Sequence, residues 1–252
     1  LAFDAVDRIY LHHWSVTRES FIDLINCLMV FAKNKKFVQI ASLAIARIQG
    51  AADRLSRERL SEEDATVRQV NTLFTDSKKD TAIWWPILTG LANLTMDDRD
   101  YIRNIAMTAL FKILNEQGHY FSGGLWELVF KGVLFPIFDD VQHAYDLNND
   151  NVIAKGNNNG NSLENDDSKL HLVDKQIDTW LKSTCQEALN AVVSLFFKKE
   201  LFLLLKFLLS DLLQLLENCI VHPNQLLARK GVSCLKTLLL HAGNHFDADT
   251  WH

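Results

Sequence analysis

The chain has 252 residues, 48 % of them hydrophobic, with a net charge of −5 and a sequence pI near 6.0. That length admits one to two domains or a single extended solenoid. The acidic balance shows none of the basic surplus with which nucleic-acid binders neutralise phosphates. Three prolines and ten glycines are too few for the turns of a β-rich chain.

Helical periodicity runs almost end to end with no stretch of period-two alternation, which predicts an all-α fold. The chain opens inside an apolar pattern (Leu1, Phe3, Val6, Ile9) and stops on Trp251 and His252, so it is expected to be a piece of a longer protein. Phe21, Leu24, Ile25, Leu28 and Phe31 share the face of a first predicted helix. The run from Asp53 to Asp64 mixes both signs and is expected to be a solvated junction between helices. From Trp85 follows a helix pair with Pro86 early in its first helix, Asp97 and Asp98 in its turn, and Ile102 and Arg103 opening its second. The two aspartates suit a helix N-terminus, where carboxylates accept orphan N–H groups. Ile102, Ile105, Ala106, Ala109, Leu110, Ile113 and Leu114 form the stripe of that second helix, and Gly123-Gly124 reads as an interhelical turn.

Between Asp146 and Ser168 the pattern stops. Eight asparagines fall between Asn148 and Asn165, among few aliphatic residues. Such a segment cannot bury enough surface to offset an ordering cost of about 1–2 kcal/mol per residue. The expected organisation is therefore a first block of helical repeats over 1–145, an Asn-rich disordered insertion over 146–169, and a second block over 170–252. Periodicity resumes with Trp180, Leu181, Thr184, Cys185, Ala188, Leu189 and Val192.

The most informative feature is internal repetition. A shift of 125 residues carries Leu110, Leu114, Gly118, Phe121 and Trp126 onto Leu235, Leu239, Gly243, Phe246 and Trp251. The preceding helix obeys the same shift, with Ile87, Leu88 and Leu91 falling on Leu212, Leu213 and Leu216. Each unit reads as two apolar helices closed by a glycine in the left-handed conformation, then an aromatic residue, a short turn and a tryptophan opening the next helix. Helix pairs of this kind stack into a HEAT/armadillo-like α-solenoid whose surfaces bind other proteins.

No catalytic, cofactor-binding or metal-ligating residue is predicted. Asp146, Asn148 and Asp150 occupy the first ligand positions of a calcium loop, but Asn151 replaces its glycine and Asn157 its bidentate glutamate. His241 and His245 have a helical metal spacing, yet Gly243 ends that helix and no Glu or Cys joins them; His12-His13 is equally unsupported. Cys27, Cys185, Cys219 and Cys234 are scattered among apolar residues, as free thiols in a reducing compartment. Phe196 to Leu216 is apolar enough for a membrane surface, but Lys198, Lys199 and Lys206 are balanced by Glu200, Asp211 and Glu217, which favours a core helix.

At the repeat blocks the sequence resembles a known family. WWPILTGLANLTMDDRDYIRNIAMTALFKILNEQGHYFSGGLWELVFKGVLFPIFDD is similar to a segment of the large, brefeldin-A-sensitive Arf guanine-nucleotide exchange factors of the late Golgi, the Sec-seven type. WLKSTCQEALNAVVSLFF and LLQLLENCIVHPNQLLARKGVSCLKTLLLHAGNHFDADTW continue the resemblance in the same order, and FIDLINCLMVFAKNKKF fits near the start. Matching residues are Trp85, Arg103, Gly118, His119, Phe121, Trp126 and Phe138, then Asn224, Leu227, Ala228, Arg229, Gly231, Cys234, Leu235, Gly243, Phe246 and Trp251. Most are packing or turn residues, and Arg103 and Arg229 are expected to serve the repeat stack before any ligand.

The resemblance implies a region downstream of the catalytic domain, in the homology-downstream segments, so this chain is expected to be a non-catalytic regulatory scaffold rather than an enzyme. The expected roles are autoinhibition, membrane recruitment or small-GTPase recognition in vesicle traffic. The implied partners are Arf and Rab small GTPases and other domains of the same exchange factor, with no cofactor and no nucleic acid. The implied location is cytoplasmic, peripheral on trans-Golgi network membranes through the parent protein, and no binding residue is assigned. The alternative is a generic HEAT-repeat trafficking adaptor unrelated to exchange factors, separated from the first reading only by the family-like order of the blocks.

Overall fold

The computed structural model describes residues 1–66, 77–138 and 179–248, and among these it is helical without a strand. In the first part lie α1 (Ala2–His12), α2 (Trp14–Glu19), α3 (Phe21–Ala32), α4 (Val38–Thr66), α5 (Ser77–Leu94), α6 (Asp100–Gln117) and α7 (Gly123–Val129). A π-helical turn, Phe130–Leu134, continues directly from α7. In the last part lie α8 (Cys185–Ser194), α9 (Lys199–Leu205), α10 (Leu209–Val221) and α11 (Gln225–Ala242). The chain forms two compact units, Leu1–Val129 and Phe130–His252. The Asn-rich segment, its calcium-like positions and Trp251 lie outside the described residues.

In the first unit α3 buries Phe21, Leu24, Ile25, Leu28, Met29 and Ala32, and packs on α4 and α5. The charged run from Asp53 is not a junction: α4 passes through it without a break. Buried Ala41, Ala44, Ile45, Ile48, Ala51, Ala52 and Ser56 form a stripe of small and aliphatic residues, so its charges share turns with a face that stays packed. Those charges clamp α1 and α2 onto α4. Arg54 lies over the rings of Tyr10, at 4.5 Å, and Trp14, at 5.3 Å, and donates to the Tyr10 carbonyl. Arg47 pairs with Asp7, and the Trp14 indole N–H donates to Glu58.

The α5–α6 hairpin buries Ile87, Leu88 and Leu91 against Ile102, Ala106, Ala109 and Ile113. Pro86 sits well inside α5 rather than near its start, because the helix already begins at Ser77. The fold tolerates the missing proline N–H there as one gap in a long hydrogen-bond ladder. Gly123-Gly124 is not a free turn either; Gly123 opens α7, and the Ser122 hydroxyl accepts the Leu125 N–H at 3.2 Å.

In the second unit α11 packs on α8 and on α10. Asn224 caps α11, its side-chain oxygen accepting the N–H groups of Leu226 and Leu227 at 2.9 and 3.2 Å. The apolar stretch from Ser194 to Leu216 is broken into the end of α8, α9, a 3₁₀ turn and α10, with Leu201, Phe202, Leu205, Leu208, Leu212, Leu215 and Leu216 buried. No helix among the described residues is long and apolar enough to cross a membrane.

The repeat register is reproduced in the backbone. α6 runs from Asp100 to Gln117 and α11 from Gln225 to Ala242; the 3₁₀ turns that follow are Gly118–Tyr120 and Gly243–His245. Both helices thus begin and end at the same offset. The glycines, however, are right-handed, at φ −60°, ψ −24° for Gly118 and φ −57°, ψ −28° for Gly243. The helix end tightens into a 3₁₀ turn, in which Phe121 N–H donates to Gly118 O and Phe246 N–H to Gly243 O, so no left-handed cap forms. Gly118 O also accepts the indole N–H of fully buried Trp126 at 2.9 Å, which fixes the aromatic cluster of Trp84, Phe121 and Trp126 on that turn.

The hairpin of the second unit closes over Gly231. A Cβ there would stand 2.9 Å from Cys219 Cβ and 3.1 Å from the Ile220 backbone nitrogen, neither of which can swing away. Gly231→Ala is expected to destabilise the chain by about 1–2 kcal/mol despite its better helix propensity. Gly124→Ala, with nothing within 4 Å of its Cβ, is expected to stabilise by about 0.5–1 kcal/mol. Urea unfolding of the two variants checks the opposite signs.

Candidate protein-interaction surface

Polar order in the first unit concentrates at the α5–α6 turn. Asp97 Oδ1 accepts the backbone N–H of Arg99 at 3.0 Å, and the Asp97 carboxylate receives the Arg99 guanidinium at 2.7 and 2.8 Å. Asp97 therefore caps its own turn; the N-cap position of α6 belongs to Arg99 and carries no side-chain cap. The same guanidinium donates to Asn34 O at 2.8 Å and Ala32 O at 3.2 Å, tying this turn to the one that ends α3. Lys35 pairs with Asp98 across the same gap. Burial alone would raise the Asp97 pKa, but the hydrogen bonds from the Arg99 side chain and amide, with its charge, carry it below the usual carboxylate value.

Arg103 is buried, donates to Asp97 O at 2.7 Å and pairs with Asp100. Burial lowers its pKa, opposed by the charges of Asp97 and Asp98. Arg103 thus completes its own turn, whereas the bridge between neighbouring turns is made by Arg99, a residue that sequence reading passed over. The signal was available as an aspartate two positions before an arginine, the spacing of an Asx-type turn closed by its own ion pair. Arg229 is exposed and makes no hydrogen bond or ion pair among the described residues.

Three of the four thiols lie in the second unit. Cys185, Cys219 and Cys234 are buried, and burial pushes them to about 12, about 12 and about 11. Cys234 Sγ donates to Asn190 Oδ1 and accepts from Gln186 Nε2, both at 3.2 Å, joining α11 to α8. His245 Nε2 lies 3.0 Å from Phe197 O with its ring against Phe202, and His241 packs on Phe197 at 4.8 Å between centroids. These histidines attach the end of α11 to the loop after α8. Among the described residues no three His, Cys, Asp or Glu side chains converge as a metal site would require.

Exposed apolar side chains among the described residues of the second unit stand on helix surface. Leu203, Leu204 and Phe207 stand exposed around α9, and Val232, Leu239 and Leu240 on α11. Shallow, ridged surfaces of this kind suit protein partners better than small molecules, which need concave sites.

Comparison with known proteins gives the chain its relatives. All of this chain aligns with brefeldin A-inhibited guanine nucleotide-exchange protein 3 of Arabidopsis thaliana, at 32 % identity over 266 residues, and with protein 2 of the same plant, at 29 % over 281 residues. Human brefeldin A-inhibited guanine nucleotide-exchange protein 1 is 26 % identical over 246 residues, covering 98 % of the chain. The chain is a homologue of the brefeldin A-inhibited guanine nucleotide-exchange proteins. It spans 12–15 % of the length of these relatives, so it corresponds to one segment of such an exchange protein. No family model and no solved structure matches it.

Two expectations follow from the buried groups of this exchange-protein homologue. At pH 8 a thiol titrating at about 12 is thiolate in roughly one molecule in ten thousand, and one at about 11 in roughly one in a thousand, so Cys185, Cys219 and Cys234 should resist alkylation in the native chain and react only after unfolding. Thiols held protonated by folding bind more protons than the unfolded chain above pH 9, so stability should fall as pH rises from 9 towards 12. Mass spectrometry after iodoacetamide pulses and denaturation at stepped pH read both. In addition, Arg99→Ala should cost about 3 kcal/mol, since it strands a largely buried Asp97 carboxylate; thermal unfolding measures that loss.

Proposed function

We propose that this chain is a non-catalytic regulatory and protein-binding scaffold within an Arf guanine-nucleotide exchange factor. In this reading it lies downstream of the catalytic domain and acts in vesicle traffic at the trans-Golgi network. It does so through autoinhibition, membrane recruitment of the parent protein or recognition of small GTPases. The helix pairs belong to a HEAT/armadillo-like array, with blocks at 1–145 and 170–252 separated by the Asn-rich insertion at 146–169.

One observation carries the proposal: the full chain aligns with a single segment of brefeldin A-inhibited exchange proteins, and that segment is made of helix hairpins repeated in fixed register. Paired turns, buried thiols and packed histidines account for the chemistry-bearing side chains within the hairpins. Binding through helix surfaces is the role such a segment can play for its parent. A repeat array suits it, because each pair buries its stripe on its neighbours and leaves outer surfaces for partners.

The test is retention of Arf and Rab proteins, loaded with GDP or a slowly hydrolysed GTP analogue, on the immobilised chain. Capture of one GTP-loaded protein at least tenfold above its GDP form is the expected outcome. Equal capture in both states, by a chain whose helical circular dichroism is intact, would remove GTPase recognition and leave docking to other domains of the exchange factor. Nucleotide release from Arf is expected to be no faster with the chain than without it.

A further inference from the structure

The second helices of the two hairpins begin and end at the same offset, yet one face of them is treated differently. On α6, Arg103, Met107, Leu110, Phe111 and Leu114 are all buried. Their counterparts on α11 at the same offset are Ala228, Val232, Leu235, Lys236 and Leu239. Val232 is 54 % exposed, Leu239 41 % exposed and Lys236 exposed, while Ala228 and Leu235 are half-buried. Ala228, Val232, Leu235 and Leu239 fall four, three and four residues apart, the apolar spacing onto which another helix packs. The α6 face shows that this register, on this helix, accepts a covering.

The residue types on the two faces also differ. Lys236 stands where α6 has Phe111, and Arg229 where α6 has Asn104. Both are exposed, and neither makes a hydrogen bond, ion pair or ring contact. They are seven residues apart, two helical turns, so they edge the same side of the apolar stripe. No acidic residue occurs in α11, and Asp211 and Glu217 of α10 pair with neither. Phe111 is buried and Asn104 exposed on α6, so a face meant for an apolar neighbour like the one accepted by Phe111 would not place the uncompensated Lys236 where covering buries it, with Arg229 on the rim beside it. An anionic bilayer fits less well. The α10–α11 hairpin carries Arg229, Lys230 and Lys236 against Asp211 and Glu217, one net positive charge, and each basic residue contributes only about 1 kcal/mol at such a surface.

We infer that this face of α11 docks an amphipathic helix of a partner protein, its apolar stripe seated on Val232, Leu235 and Leu239 and its carboxylates, two turns apart, meeting Arg229 and Lys236. The inference rests on the reading of the chain as a protein-binding segment and adds to it a surface and a partner chemistry. Helix-on-helix packing supplies the affinity and the two charge pairs set polarity and choice of partner.

The test uses two synthetic 21-residue helices with identical leucine stripes, one flanked by glutamates and one by lysines, titrated into the intact chain by fluorescence anisotropy. The glutamate peptide is expected to bind at least tenfold more tightly. The double substitution Arg229→Glu with Lys236→Glu, exposed positions that leave the core untouched, should reverse that preference. Val232→Glu should abolish binding of both peptides while circular dichroism stays unchanged. Equal affinity for the two peptides, binding of neither, or a glutamate preference that survives the double substitution would overturn the inference. GTPase retention is measured on the same variants. Its persistence when peptide binding fails would leave the regulatory reading standing without this face, and its absence when peptide binding holds would sink only the GTPase part.

Discussion

A helix with one apolar stripe is unstable until something covers that stripe, and most of this chain follows from that need. Propensity alone holds short helices poorly in water, so their persistence depends on tertiary burial. α6 meets the demand on more than one side, burying Ile102, Ala106, Ala109 and Ile113 in one direction and Met107, Phe111 and Leu114 in another. The small residues are what let backbones come close enough for this. Gly231 rests against Cys219 and Ile220, and its counterpart on α6 is buried Ala106. The hairpin geometry is thus set by side-chain volume at the contact.

Once helices are paired, the polar groups at their ends must be satisfied within short turns. The two hairpins solve this alike at one end and differently at the other. At the C-terminal ends of α6 and α11, a 3₁₀ turn absorbs the last carbonyls, and Trp126 adds an indole N–H to the Gly118 carbonyl. At the N-terminal end of α11, Asn224 caps the helix directly. At α6 the guanidinium of Arg99 gathers Asp97, Asn34 and Ala32, and Arg103 fills the remaining space beneath. An arginine fork suits this role because its donors are fixed in one plane and can serve several carbonyl and carboxylate oxygens at once.

Much of this was legible in the sequence. Stripes at three- and four-residue spacing named the cores of α3, α6 and α8, and the repeat register held to the residue, since insertions inside a packed hairpin would turn its stripe away from its partner. Readings failed where composition stood in for geometry. The charges from Asp53 suggested a break, but the buried stripe that reaches them through Ala51, Ala52 and Ser56 kept a packed face, and α4 continued. Gly118 and Gly243 suggested left-handed caps, but a 3₁₀ turn leaves the same carbonyls satisfied with right-handed backbone. Arg103 and Arg229 were both expected to serve the repeat stack, yet they differ by one position in the repeat register; one is buried in its turn, with acidic neighbours beside it, and the other is exposed. Pair-specific contacts such as Arg99 to Ala32 join residues far apart in sequence and leave no periodic trace.

The internal chemistry of the chain argues for where its function resides. Groups that enzymes expose and tune are here neutralised by packing: thiols driven to high pKa by burial, histidines held against phenylalanines and backbone, carboxylates matched to arginines. Each of these groups serves the packing where it stands. On the outside stand Val232, Leu239 and Lys236 of α11, whose counterparts Met107, Leu114 and Phe111 on α6 are buried. For a homologue of one segment of a guanine nucleotide-exchange protein, that distribution is what the proposed protein-binding role would use. The repeat makes this economical in physical terms. The face that stabilises one hairpin by being covered becomes a specific docking site when the same register carries Lys236 in place of Phe111, since a partner must then bring both an apolar stripe and the matching charge.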